Sequence, residues 1–165
     1  MTMTTSPPRP RLANFLRHPW WEQLAFVPVW ALLGLGRLAI VSCRFERIAA
    51  GLGTGMGTHA FVPLVTPRQE ARARRVARLV PWVAAHTPWV STCFPQALVA
   101  RLLLGLAGVP WVLCFGLRRD ATGTLAAHAW VAAGRVNVTG GASFGRMTVV
   151  GCYTSLTQAQ LAPAP

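Results

Sequence analysis

The chain has 165 residues, 53% of them hydrophobic, with a formal net charge of +12 carried by sixteen arginines and no lysine. That length and apolar content fit one compact domain with an easily filled core, and they exclude a chain too polar to fold. The charge excess over four carboxylates (Glu22, Glu46, Glu70 and Asp120) favours an acidic partner surface.

Residues 1–12 are rich in Thr, Ser and Pro and are expected to form a disordered tail. They lack the basic start and apolar core of a secretory signal. None of Cys43, Cys93, Cys114 and Cys152 lies in a CxxC pair. The thiols are therefore expected to be reduced and the chain cytoplasmic, with no metal and no cofactor. Residues 13–66 read as an N-terminal helical region. Its apolar run, residues 20–43, is broken by Pro28 and Arg37. One or two helices packed on the core is the simpler reading; contact with a membrane is the other. The stretch AAGLGTGMGT, residues 49–58, lacks the GK[ST] ending of a phosphate loop and reads as a flexible linker.

A domain over residues 67–156 follows. Pro67 to His86 has Val76, Leu79, Val80 and Val83 at helical spacing, with Pro81 expected to end or kink the helix. Arg72, Arg75 and Arg78 mark its basic face, which is either solvated or a docking face for an acidic peptide or protein. Interleaved aromatics are missing there, so nucleic acid is not expected. Ser91 or Thr92 caps an apolar helix from Cys93 to Ala107, with Pro95 in its first turn. Strands are expected over residues 109–117, 125–132, 135–139 and 146–153, then a flexible tail over 157–165. Helices first and an antiparallel meander afterwards is an α+β pattern.

Two residues carry the chemistry. Cys93 heads its helix, where unpaired N–H groups and the helix dipole favour a thiolate and offer donors to an oxyanion. His128 sits in a strand between Ala127 and Ala129, which leave room around the ring. A thiol nucleophile needs such a base. Taken singly, Cys93 also reads as a small core residue and His128 as a structural histidine.

Together with their surroundings the two resemble the lasso-peptide leader peptidases, transglutaminase-like cysteine proteases of ribosomal peptide biosynthesis, in their stand-alone protease form. The matching pieces are Pro81-Trp82, Trp89, the Cys93-x-x-x-Ala97-Leu98 helix start, Leu102-Leu103-Leu104, Gly108-Val109-Pro110, and Ala127-His128-Ala129-Trp130-Val131 before Gly134. The resemblance implies an α+β papain-like core, in which a Cys-bearing helix packs on a small antiparallel sheet. It implies Cys93 as nucleophile and His128 as general base and acid, acting on a precursor peptide before a macrolactam is closed. A small leader-recognition protein and an asparagine-synthetase-like cyclase are the implied partners. Trp89 and Trp130 are the aromatic candidates for substrate contact.

The family usually places an Asp about a dozen residues after the His. No acid follows Asp120 here, so a downstream carboxylate orienter is excluded. If Ala133-Gly134 is a two-residue turn, His128 faces Thr139, and Asn137 lies opposite Trp130 on the same sheet face as His128. Asn137 is then the first candidate to orient the imidazole, with Thr139 and Asp120 as alternatives. The rival functions are a transglutaminase-like acyl transferase or amidase, and an inactive leader-binding scaffold.

Overall fold

A computed structural model of the chain describes residues 18–119, 123–141, 143 and 145–161. The expected tail over residues 1–12, and Asp120, lie outside the described residues. In chain order the elements are α1 (Trp20–Ser42), α2 (Phe45–Ala49), β1 (Thr54–Gly55), α3 (Pro67–Ala84), α4 (Cys93–Leu106), β2 (Val112–Arg119), β3 (Leu125–Ala133), β4 (Val136–Thr139), β5 (Thr148–Thr154) and α5 (Gln158–Leu161). The strands pair antiparallel in the order β1-β5-β2-β3-β4. This is the α+β architecture that the sequence pattern predicts.

Local chemistry sets the helices. Thr66 and Gln69 form a reciprocal capping box at the start of α3, and Pro67 fills the first helical position. The predicted apolar face is buried through Ala73, Val76, Leu79, Val80 and Val83. Pro81 stays inside the helix, which ends at Ala84. The N-terminal apolar run is a single 23-residue helix that continues through Pro28. It buries only Glu22, Val29 and Leu33. Trp20, Leu24, Val27, Leu35, Leu38 and Val41 form an exposed stripe at the three- and four-residue spacing of one helix face. Among the described residues α1 is the one helix long and apolar enough to cross a membrane by length and composition.

Polar groups fasten the helices together. Glu22, 2% exposed, accepts from His18 Nδ1 at 2.7 Å and pairs with Arg78 at 3.4 Å. Arg75 lies 5.7 Å over the Trp21 ring, and Arg72 Nη1 donates to the Ala107 carbonyl at the end of α4 at 2.8 Å. The basic face of α3 is thus also a set of tethers to α1 and α4.

The sheet departs from the expectation in three places. β2, β3 and β4 follow one another, but β5 returns to the other side of β2. The meander therefore breaks at its last strand and leaves β2 central and buried. The glycine-rich stretch supplies β1, which pairs with Tyr153 and Thr154, and its Leu52 is fully buried. An edge strand thus stands where a flexible linker is expected. The β3–β4 turn falls at Gly134-Arg135, with Ala133 opposite Val136. Gly134 takes φ +56°, a conformation that costs other residues a Cβ clash.

Side chains alternate across the sheet. Leu113, Ala129, Val131 and Ala133 join the main core with α1, α3 and α4. Val112, Cys114, Trp130, Ala132 and Cys152 form a smaller cluster on the other face. There Cys152 Sγ lies 2.6 Å from Cys114 Sγ, both as free thiols. That hydrogen bond and burial push the Cys114 thiol far above its ordinary 9.0.

Candidate active site

Cys93 is the first residue of α4. The preceding Thr92 is extended, and its side chain makes no capping bond. Gln96 N–H reaches the Thr92 carbonyl at 3.3 Å, and Pro95 has no N–H to give. The N–H groups of Cys93 and Phe94 have no acceptor among the described residues. Two donors and the positive end of the helix dipole therefore adjoin the half-buried thiol. Gln96 Nε2 is engaged elsewhere, donating to the Ser91 carbonyl at 2.7 Å. This bond folds the loop back onto the helix start.

His128 is half-buried near the start of β3. Its Nε2 lies 2.9 Å from the Gly140 carbonyl oxygen. A carbonyl only accepts, so Nε2 carries the proton in the neutral ring and Nδ1 holds the basic lone pair. Ser143 Oγ donates to the same oxygen at 2.7 Å. The His128 ring stacks on Trp130 with centroids 6.2 Å apart and planes at 20°. Both rings therefore project from the sheet face of Cys114 and Cys152, whereas Ala129 projects toward α4.

Cys93 and His128 line one cleft of about 330 Å³, with Phe45, Phe94, Phe115, Gly116, Leu117, Ala127, Ala129 and Val150. No hydrogen bond joins Cys93 to His128 among the described residues. β4 pairs with β3 only over Val131–Ala133, so the β3 segment that bears His128 has no strand partner on that side among the described residues. On its other side the β2 ladder still pairs His128 with Gly116, and strand alternation sets the face from which its ring projects.

The other expected site residues are placed differently. A bulge between Val131 and Ala132 follows the late turn. Thr139 consequently pairs with Val131 rather than His128, and Asn137 is exposed opposite Ala132. Neither bonds to His128, and the buried Thr139 Oγ1 has no partner among the described residues. Trp89 packs on α1 instead of walling the cleft: its ring lies 4.4 Å from Trp30, and a Cβ at Gly34 would sit 2.9 Å from it. Trp130 is completely buried beneath His128 and contributes to the core. Among the described residues no cluster of three His, Cys, Asp or Glu side chains is arranged to hold a metal ion.

Two contributions escape the sequence reading. One is the Gly140 carbonyl, a backbone atom with no side-chain signal, although counting twelve residues from His128 lands on it. The other is the set of rings beside Cys93. Phe94 and Phe115 meet at 5.1 Å and 80°, and Phe45 and Phe115 at 5.6 Å and 84°. The rings come from α4, β2 and α2, so only the fold assembles them.

A cysteine at a helix start, packed over an antiparallel sheet that bears a histidine, also marks a recognised sequence group. The profile of the transglutaminase-like superfamily matches residues 38–151. No curated protein and no solved structure matches the chain. The profile runs from within α1 to within β5 and so takes in both Cys93 and His128: the chain belongs to the transglutaminase-like superfamily.

Proposed function

We propose that this chain is a cysteine peptidase that removes the leader from a ribosomally made lasso-peptide precursor before macrolactam formation. The superfamily supports cysteine-based hydrolysis or acyl transfer. The narrower reading rests on the motif order from Pro81 to Gly134. The single observation that carries the chemistry is Cys93 at the start of α4, with free N–H groups beside it, in one cleft with His128.

In this mechanism the Cys93 thiolate attacks the scissile carbonyl, and the Cys93 and Phe94 N–H groups receive the oxyanion. His128 Nδ1 takes the thiol proton and gives it to the departing amine. Water then hydrolyses the thioester and restores the thiol. The base must come within about 3 Å of that proton, a contact that often tightens only once substrate is bound. The His128 ring projects from the sheet face opposite α4, so this contact requires the His128 end of β3, which β4 does not pair, to move. The proposed partner is a small leader-binding protein on the arginine face of α3. There Arg72, Arg75 and Arg78 remain exposed despite their tethers.

An inactive leader-binding scaffold is the second reading. It is favoured by the absent Cys93–His128 bond and by the neutral carbonyl at His128 Nε2. The test is mass spectrometry of a precursor peptide encoded beside this chain, incubated with the protein, with and without the leader-binding protein and a primary-amine acceptor. The peptidase reading expects a leader fragment and a core fragment with a free N-terminus. An amine-joined product supports a transferase, and intact precursor that co-purifies with the chain supports the scaffold.

A further inference from the structure

We infer that the cleft beside Cys93 is a subsite for an aromatic side chain of the substrate, adjacent to the bond that is cut; this rests on Cys93 as the nucleophile. The cleft holds about 330 Å³, and its walls are Phe45, Phe94, Phe115, Leu117 and Val150. Among the described residues no Asp, Glu, Lys or Arg lines it.

The rings are arranged to receive another ring. Phe94 and Phe45 both stand nearly edge-on to Phe115, and Phe115 is backed by Tyr153 at 6.1 Å and 90°. Aromatic pairs prefer such edge-to-face contacts over face-to-face stacking. The cluster is not a closed core. Phe45 is 48% exposed, Val150 is 48% exposed, and Phe94 and Phe115 are only half-buried. Core positions on the same elements, such as Leu113 and Ala97, are fully buried. The contact area left open on these rings matches an apolar ligand. A charged side chain would lose its hydration there without gaining a partner.

The probes are N-acetyl-phenylalanine chloromethyl ketone and its alanine and glutamate counterparts. Each places one side chain next to the carbon that alkylates a thiol. The rate of Cys93 modification is read by peptide mass spectrometry on the full chain. The phenylalanine probe is expected to react at least tenfold faster than the alanine probe, and the glutamate probe slowest. Phe45→Ala should bring the phenylalanine-to-alanine ratio toward one. Val150→Asp, at an exposed rim position, should also lower it and gives a second reading should Phe45→Ala fold poorly. A wild-type ratio within threefold overturns the subsite while Cys93 still reacts ahead of Cys43. Failure of every probe to modify Cys93 ahead of Cys43 overturns the nucleophile and the subsite with it.

Discussion

His128 Nε2 donates to the Gly140 carbonyl at 2.9 Å, so a backbone atom stands twelve residues after the histidine, where the leader peptidases that the sequence resembles usually place an Asp. A neutral acceptor fixes the tautomer as a carboxylate does. It stabilises the imidazolium less, because charge-assisted hydrogen bonds are roughly twice as strong as neutral ones. Gly140 takes φ +78°, and an added Cβ would lie 2.5 Å from Trp130 Cβ. Gly140→Ala is therefore expected to cost about 2–4 kcal/mol from backbone strain and overpacking together. Urea unfolding measures it, and a loss under 1 kcal/mol would mean that the turn is not built as described. Gly140→Asp is expected to be no better tolerated.

The orienting role moves with the register. Asn137→Ala should leave turnover within about threefold, since Asn137 is an exposed residue opposite Ala132. Thr139→Val should be neutral or stabilising by up to about 1 kcal/mol, because it removes a buried hydroxyl that lacks a partner among the described residues. A large loss of turnover in Asn137→Ala, with the fold intact, would restore Asn137 as the residue that orients His128.

The helix that bears Cys93, the histidine strand and the α+β order are legible because each rests on a local signal: a cap before an apolar run, alternation, and glycine at turns. The register of β4 is not. A single-residue bulge and a turn at Gly134-Arg135 rather than Ala133-Gly134 move Asn137 and Thr139 away from His128, and neither has a strong residue signature. β5 beside β2 is a long-range pairing that no local pattern encodes. Trp89 reads as a candidate for substrate contact from its place among the matching motifs, yet Gly34 on α1 opens a slot that takes its ring.

Helix α1 has two unequal faces. Leu24 and Leu35 are 69% and 61% exposed, whereas Leu33 is fully buried. The double change Leu24→Glu with Leu35→Glu should alter stability by less than about 1 kcal/mol. Leu33→Ala should cost about 2–5 kcal/mol. Thermal melts of the two variants check the orientation, and equal losses would mean that α1 buries a different face.

The buried thiol pair sets a pH dependence. Cys114 is raised above its ordinary 9.0 by the Cys152 hydrogen bond and by burial. Above that value the unfolded chain loses a proton that the folded chain keeps. The stability contributed by this group is thus complete below pH 9.0 and declines as pH rises further. The same bond lowers Cys152, whose contribution is constant above pH 9.0, so denaturant midpoints between about pH 9 and 10 should fall with pH, and less so in Cys114→Ala measured against its own value at pH 9. An unchanged alkaline slope in that variant would remove Cys114 as the source.

Reactivity at Cys93 tests the account most directly. Trace iodoacetamide on the native wild-type chain and on His128→Ala, followed by peptide mass spectrometry, ranks the four thiols. Cys93 should react first, ahead of the exposed Cys43, and Cys114 and Cys152 only after denaturation. Its rate should drop at least several-fold in His128→Ala, and Cys93→Ala should yield no precursor cleavage. Cys93 reacting no faster than Cys43, or precursor cleaved by Cys93→Ala at the wild-type rate, would contradict the account.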